Sequence, residues 1–138
     1  MMKTTHLKRL AILLAALGLG NAAYAERPAT TIDGKVHHLV VIWLKQHGDP
    51  EARRKYIEGS KRLSKLPGVI SYDIGPAAGI KRDKPSPSVD DSFDIAISAT
   101  FESKEALENY SKHPEHHKVI QEVLKPLVDH YKVYDFAD

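Results

Sequence analysis

The 138-residue chain contains no cysteine. That one absence excludes a disulfide framework, metal–thiolate sites, a cysteine nucleophile and a lipid-modified N-terminal cysteine. There is no apolar run of the ~20 residues that a membrane-spanning helix needs; the stretch Leu10 to Leu19 is only half that length. No charge sign dominates either. The formal net charge of +2 includes Lys3, Lys8 and Arg9, and without those three it becomes −1, so a polyanionic partner such as nucleic acid has no electrostatic support. No Gly-rich phosphate loop follows a strand-like segment, and neither a Gly-x-Ser-x-Gly elbow nor a His-Glu-x-x-His signature occurs. Nucleotide cofactors and serine hydrolysis are dropped on those grounds.

What is present at the start reads as an export signal. Lys3, Lys8 and Arg9 form a basic region without an acid, Leu10 to Leu19 is the apolar core, and Ala23 and Ala25 are the small residues a signal peptidase accepts. Residues 1–25 are expected to be removed after Ala25, and residues 26–35 to form an unstructured leader to the domain that begins at Val36. The remainder has the composition of one globular domain. At about 113 residues such a domain buries roughly two thirds of the surface its unfolded chain exposes.

Val36 to Lys45 is rich in β-branched and aromatic residues, with apolar side chains on both parities from Leu39 to Leu44, so a strand covered on both faces is expected. Asp49 and Pro50 suit an N-cap and first helical position, and a helix is expected to about Lys65, with Ala52, Tyr56, Ile57, Leu63 and Leu66 as its apolar stripe. Leu66-Pro67-Gly68 ends it. Val69 to Ile74 reads as a second strand. The polar, proline-bearing segment Ala77 to Asp91 follows, either a plain connection or a binding lid. Phe93 to Phe101 alternates as a third strand, Ser103 caps a helix to about Lys112, and Pro114 restarts a helix that reaches Leu124 or Leu127. His130 to Phe136 is the last strand. The order βαββαβ belongs to the α+β, ferredoxin-like plait, with helices on one face of an antiparallel sheet. Leu39, Val41 and Trp43 then lie on the face away from the helices. A homodimer of two sheets packed face to face as an α/β barrel would cover them.

Several blocks, namely His38-Leu39-Val40-Val41-Ile42-Trp43-Leu44-Lys45, Leu66-Pro67-Gly68-Val69, Asp94-Ile95-Ala96-Ile97 with Thr100-Phe101-Glu102-Ser103, and Tyr110-Ser111-Lys112-His113-Pro114-Glu115-His116, resemble the stress-responsive dimeric α/β-barrel family, often called Dabb. The resemblance covers residues 36–136, and the Tyr…His-Pro-x-His block is its most specific part. It implies a ferredoxin-like protomer and an obligate barrel dimer. The family includes a plant polyketide cyclase, olivetolic acid cyclase, which performs an aldol cyclisation between sheet and helices. By position its catalytic Tyr/His pair carries over to Tyr110 and His116, and a pocket histidine of its first strand to His38. A further pocket histidine corresponds to Ile95, a departure that bears on that particular reaction.

From the residues themselves, a phenol beside an imidazole can polarise a carbonyl oxygen and take a proton α to it. Six residues apart on one continuous helix, Tyr110 and His116 would sit ~240° apart, so the break at Pro114 is what lets them converge. The plain alternative is packing for Tyr110 and a structural hydrogen bond for His116. His38 shares parity with Val40, Ile42 and Leu44, and either lines a pocket or is a satisfied core histidine. Val40, Ile42 and Ile97 would supply the apolar lining for a ligand. His113-Pro114-Glu115-His116-His117 has only one pair, His113 and His117, at one-turn spacing, so no metal site and no cofactor are assigned.

Three readings of function follow. The chain is an exported protein that binds a small, mostly apolar carbonyl-type molecule between sheet and helices, with Tyr110/His116 proton transfer and no partner beyond its own copy. Alternatively, it is a non-catalytic, stress-associated structural dimer, or a cofactor-free enzyme like the monooxygenases that share the barrel. The export reading is checked by the intact mass of secreted or periplasmic material: it should begin at Glu26, and a mass retaining Leu10 to Leu19, or recovery only with membranes, would contradict it.

Overall fold

The computed structural model describes residues 34–138, so the expected signal peptide and the leader up to residue 33 lie outside the described residues. The chain folds as β1 (Val36–Leu44), α1 (Pro50–Ser60), β2 (Val69–Gly75), β3 (Ile95–Phe101), α2 (Lys104–Lys112), α3 (Pro114–Val119) and β4 (Val128–Ala137). Every neighbouring pair in the sheet is antiparallel and the order is β2-β3-β1-β4. This is the α+β, ferredoxin-like plait expected from the element order. Among the described residues no helix is long and apolar enough to cross a membrane.

Local chemistry explains the helix starts. The Asp49 carboxylate accepts from the Ala52 N–H at 2.7 Å with Pro50 at the first turn, and Ser103 does the same for Ala106 at 3.1 Å. At the break between α2 and α3, His113 is itself the cap, its Nδ1 accepting from the Glu115 N–H at 3.1 Å. Elsewhere the boundaries differ from expectation. The first helix is α-helical only to Ser60 and continues as a 3-10 turn over Lys61–Lys65, which tightens the chain so that Leu63 stays in the core before Pro67. The second helix does not continue as one cylinder to Leu127. After α3 the backbone widens into a π turn over Ile120–Leu124 and then a 3-10 turn over Lys125–Leu127, where Pro126 can donate no backbone bond. β3 starts at Ile95 rather than Phe93, and β4 at Val128 rather than His130.

The core lies between the sheet and the helices. Ile42, Leu44, Ile95, Ile97, Ala99 and Phe101 from the sheet meet Ala52, Tyr56, Leu63, Tyr110, Val119 and Leu124 from the helical layer, all buried. Two glycines set close approaches. Gly68 has a φ of +85°, and a Cβ there would lie 2.8 Å from the Ala106 Cβ; a Cβ on Gly59 would lie 2.5 Å from Val123, so α1 can seat the π turn against itself only without a side chain. The opposite face of the sheet carries Leu39, Val41 and Trp43, as parity dictates, beside Tyr134 and Phe136 of β4. Trp43 stacks on His130 at 4.5 Å, and its Nε1 donates to the Ser92 hydroxyl at 3.1 Å. His37, on the same face, stacks on Phe136 at 4.7 Å. The long segment from Ala78 to Ser92 is exposed.

Alternation along the third strand puts Asp94 on its outer parity. Instead it sits just before that strand, is only 2% exposed, and accepts from the Leu44 N–H (2.9 Å), the Gly48 N–H (2.7 Å) and His47 Nδ1 (3.0 Å). Burial opposes its ionisation, but these donors outweigh burial and hold the carboxyl below its ordinary value of 3.8. A carboxyl depressed in the folded state contributes stability that is fully present above 3.8 and disappears as the pH falls through the lower folded value. Asp94→Ala strands three donors, so it should cost roughly 2–3 kcal/mol and flatten the acid limb of the stability curve. Thermal unfolding between pH 2 and pH 7 checks both.

Candidate functional site

Two hollows that share several wall residues occupy the space between the sheet and the helical layer. The larger, about 650 Å³, opens along the edge of β4. The smaller, about 50 Å³, lies deeper, between α1, α2 and the sheet. His38, Val40 and His116 border both. Ile42 borders the large hollow, and Ile97 and Tyr110 the small one. All six residues singled out in the sequence therefore line one or both of two neighbouring hollows.

The break at Pro114 brings Tyr110 and His116 together. α2 ends at Lys112, His113 takes an extended conformation with φ −64° and ψ 133°, and α3 restarts one residue on. The Tyr110 and His116 rings meet edge to face at 4.7 Å, with Phe101 edge-on to Tyr110 at 4.8 Å on the other side. Among the described residues the Tyr110 hydroxyl makes no direct hydrogen bond to an imidazole, and ring packing joins the pair. Nor is that hydroxyl sealed off from open space, since no polar side-chain atom among the described residues is both buried and unpartnered.

Burial sets the charge state of the pair. It pushes the Tyr110 phenol far above its ordinary value of 10.0, with Tyr72 and Tyr56 adding to the effect. His116 is lowered from 6.5, first by burial and then by the neighbouring imidazoles His117, His38 and His113. Near neutral pH the site thus holds an uncharged phenol, able to donate, next to an uncharged imidazole, able to accept a proton.

His38 is fixed from the edge strand. It stands opposite Asp135 in the β1/β4 register, and its Nδ1 lies 2.6 Å from Asp135 Oδ1. A carboxylate only accepts, so Nδ1 carries the proton that bridges to Asp135 and Nε2 is the ring nitrogen not engaged by it. Asp135 was not among the residues singled out; the signal for it was the alternation of the last strand, which becomes a pairing partner only once the register is known. Tyr56 and Tyr72 were missed as well. Tyr56 stood in the apolar stripe of the first helix and Tyr72 shares parity with Ile74, and both border the inner hollow. Burial raises the Tyr56 phenol and lifts Tyr72 to about 12, the Ser60 hydroxyl beside Tyr72 offsetting part of the rise.

Around His113 the residues have other tasks. His113 Nδ1 caps α3, and Glu115 pairs with Arg62. No group of three or more metal-ligating side chains gathers among the described residues.

The sequence from residue 36 to 138 matches the Stress responsive A/B Barrel Domain (Dabb) family. The chain belongs to that family. Among solved structures, a Dabb family protein with a ferredoxin-like fold from Mesorhizobium loti has a TM-score of 0.61 at 23% identity, covering 76% of this chain and 97% of that one. A dimeric ferredoxin-like protein of unknown function from Thermobifida fusca has a TM-score of 0.59 at 17% identity, with 76% and 92% covered. A hydroxynitrile lyase from Passiflora edulis has a TM-score of 0.60 at 20% identity, with 77% and 94% covered. At these identities the likeness is one of fold. No curated protein matches the chain in sequence.

Proposed function

We propose that this Dabb chain is a homodimer that binds a small, mostly apolar carbonyl compound between its sheet and helices and moves a proton on it with Tyr110 and His116. The observation that carries the reading is the phenol–imidazole pair, ring centroids 4.7 Å apart, with both rings on the small hollow and His116 on the large one as well. Val40, Ile42, Ile120, Leu124 and Val133 give the large hollow an aliphatic side, while Gln121, Lys125 and Asp129 stand elsewhere on its wall, an arrangement that suits an apolar body with few polar atoms.

In that setting Tyr110 donates to the carbonyl oxygen while neutral His116 removes a proton from the adjacent carbon. The C–H electron pair moves into the C–C bond, the carbonyl π pair moves onto oxygen, and the enolate is held by the phenol. Returning the proton from the imidazolium closes the cycle, or the enolate carbon attacks a second carbonyl as in an aldol step. His38, oriented by Asp135, adds a second imidazole to the same walls. That a Passiflora edulis lyase shares the fold is compatible with carbonyl chemistry here.

The dimer rests on the outer sheet face. Leu39, Val41, Trp43, Tyr134 and Phe136 form an apolar surface that no helix of the same chain covers, and related structures from Thermobifida fusca and Bacteroides fragilis are dimeric. Export through residues 1–25 remains part of the proposal and places the dimer outside the cytoplasm.

Two measurements test these claims. Light scattering at micromolar concentration should give a dimer for the 26–138 protein and monomer or aggregate for Trp43→Asp; a wild-type monomer contradicts the interface. Proton transfer can be followed without the natural substrate, by deuterium exchange at the methyl group of acetophenone in D2O. Tyr110→Phe should keep the fold and lower catalysed exchange by about 10²-fold or more. Because His116 must be neutral, wild-type exchange should rise with pH, with its midpoint below 6.5, and be level by pH 8. Exchange equal to that of buffer alone, in a protein that still binds the ketone, would leave a non-catalytic binding dimer.

A further inference from the structure

The inner hollow is bordered by three phenols, Tyr56 from α1, Tyr72 from β2 and Tyr110 from α2. We infer that it is a subsite for a compact, uncharged oxygen head group, such as the acyl end of a methyl ketone or aldehyde, inserted head first with its apolar body left in the outer hollow. This rests on the ligand-pocket reading above and specifies which end of the ligand enters and which ligands are refused.

Size comes first. The inner hollow measures about 50 Å³, and ~15 Å³ of such space holds one water, so about three water-sized groups fit. A carbonyl carbon, its oxygen and one small substituent meet that limit, and a ring does not. Chemistry comes second. Tyr56 and Tyr110 are each 4% exposed, and among the described residues neither hydroxyl has a hydrogen-bond partner while none is buried beyond reach of open space. Donors that open onto a confined hollow and have no protein partner favour an acceptor atom placed among them. Charge comes third. The wall of the inner hollow contains no lysine or arginine; its other ionisable groups are the imidazoles of His38 and His116, and Asp135 stands behind His38 at 2.6 Å. A carboxylate would lose its hydration there and gain no cation, whereas a neutral carbonyl is desolvated cheaply and gains up to three donors.

The test uses three ligands of like size: acetophenone, benzoate and ethylbenzene, titrated calorimetrically into the 26–138 protein at pH 7.5. Acetophenone is expected to bind at least ~10-fold more tightly than either of the others. Tyr72→Phe should weaken acetophenone ~3- to 10-fold, the loss of one hydrogen bond, and leave ethylbenzene unchanged; Tyr56→Phe, on a different element, should do the same. In the infrared, the carbonyl stretch of bound acetophenone should lie below its value in water and move back up in each variant. Benzoate binding as tightly as the ketone, or a carbonyl stretch indifferent to both substitutions, overturns the head-group subsite while leaving the pocket itself standing. Absence of binding by all three ligands overturns the pocket reading and this inference with it.

Discussion

The pairing of β1 with both of its neighbours is the constraint from which the site follows. In this register His38 lies between Ala99 of β3 and Asp135 of β4, Val40 between Ile97 and Val133, and Ile42 between Ile95 and Tyr131. A slip by one residue would send His38, Val40 and Ile42 to the outer face and turn Leu39, Val41 and Trp43 inward. The buried side chains at the centre of the sheet, Ile42, Ile95, Ala99 and Phe101, make that slip prohibitive, and Asp94 adds a polar lock at the end of β1 through the Leu44 and Gly48 N–H groups. The imidazole–carboxylate contact of His38 with Asp135 is thus a consequence of strand register, and the strand that supplies Asp135 is the edge strand whose side chains are the most exposed of the sheet.

The helical layer contributes through its irregularities. A continuous helix from Lys104 onward would point Tyr110 and His116 in different directions; Pro114 and the extended His113 cap reset the helical phase and bring the rings to 4.7 Å. The π turn that follows, seated against Gly59, presents Ile120 and Leu124 to both hollows. Desolvation then does the electrostatic part. It favours the neutral phenol and the neutral imidazole together, a pairing that can give a proton to an oxygen and take one from a carbon without first separating charge.

Much of this was legible in the sequence for physical reasons that differ by element. A β-branched, aromatic run located β1 and period-two alternation located β3, and parity assigned the faces of both, since it is a property of the chain alone. Asp49-Pro50, Ser103 and Pro114 marked the helix starts because capping is local. The Tyr110, His116 and His38 set came from a family resemblance joined to parity, with the Pro114 break as the physical reason for convergence. Asp135 and Asp94 were hidden because each acts on a residue far away in the chain, and only the folded register shows which. Tyr56 and Tyr72 looked like packing residues, which they also are. Their hydroxyls gain meaning only from the hollow that three separate elements enclose.

The account turns on the site being uncharged near neutral pH, and the titration of the His116 imidazole, followed by nitrogen and carbon chemical shifts in the folded 26–138 protein, tests it most directly. The titration midpoint of His116 should lie below the ordinary imidazole value of 6.5, with the neutral form predominating above it. An imidazolium that persists beside Tyr110 at pH 7.5 would contradict the proton-accepting role and the neutral pocket alike.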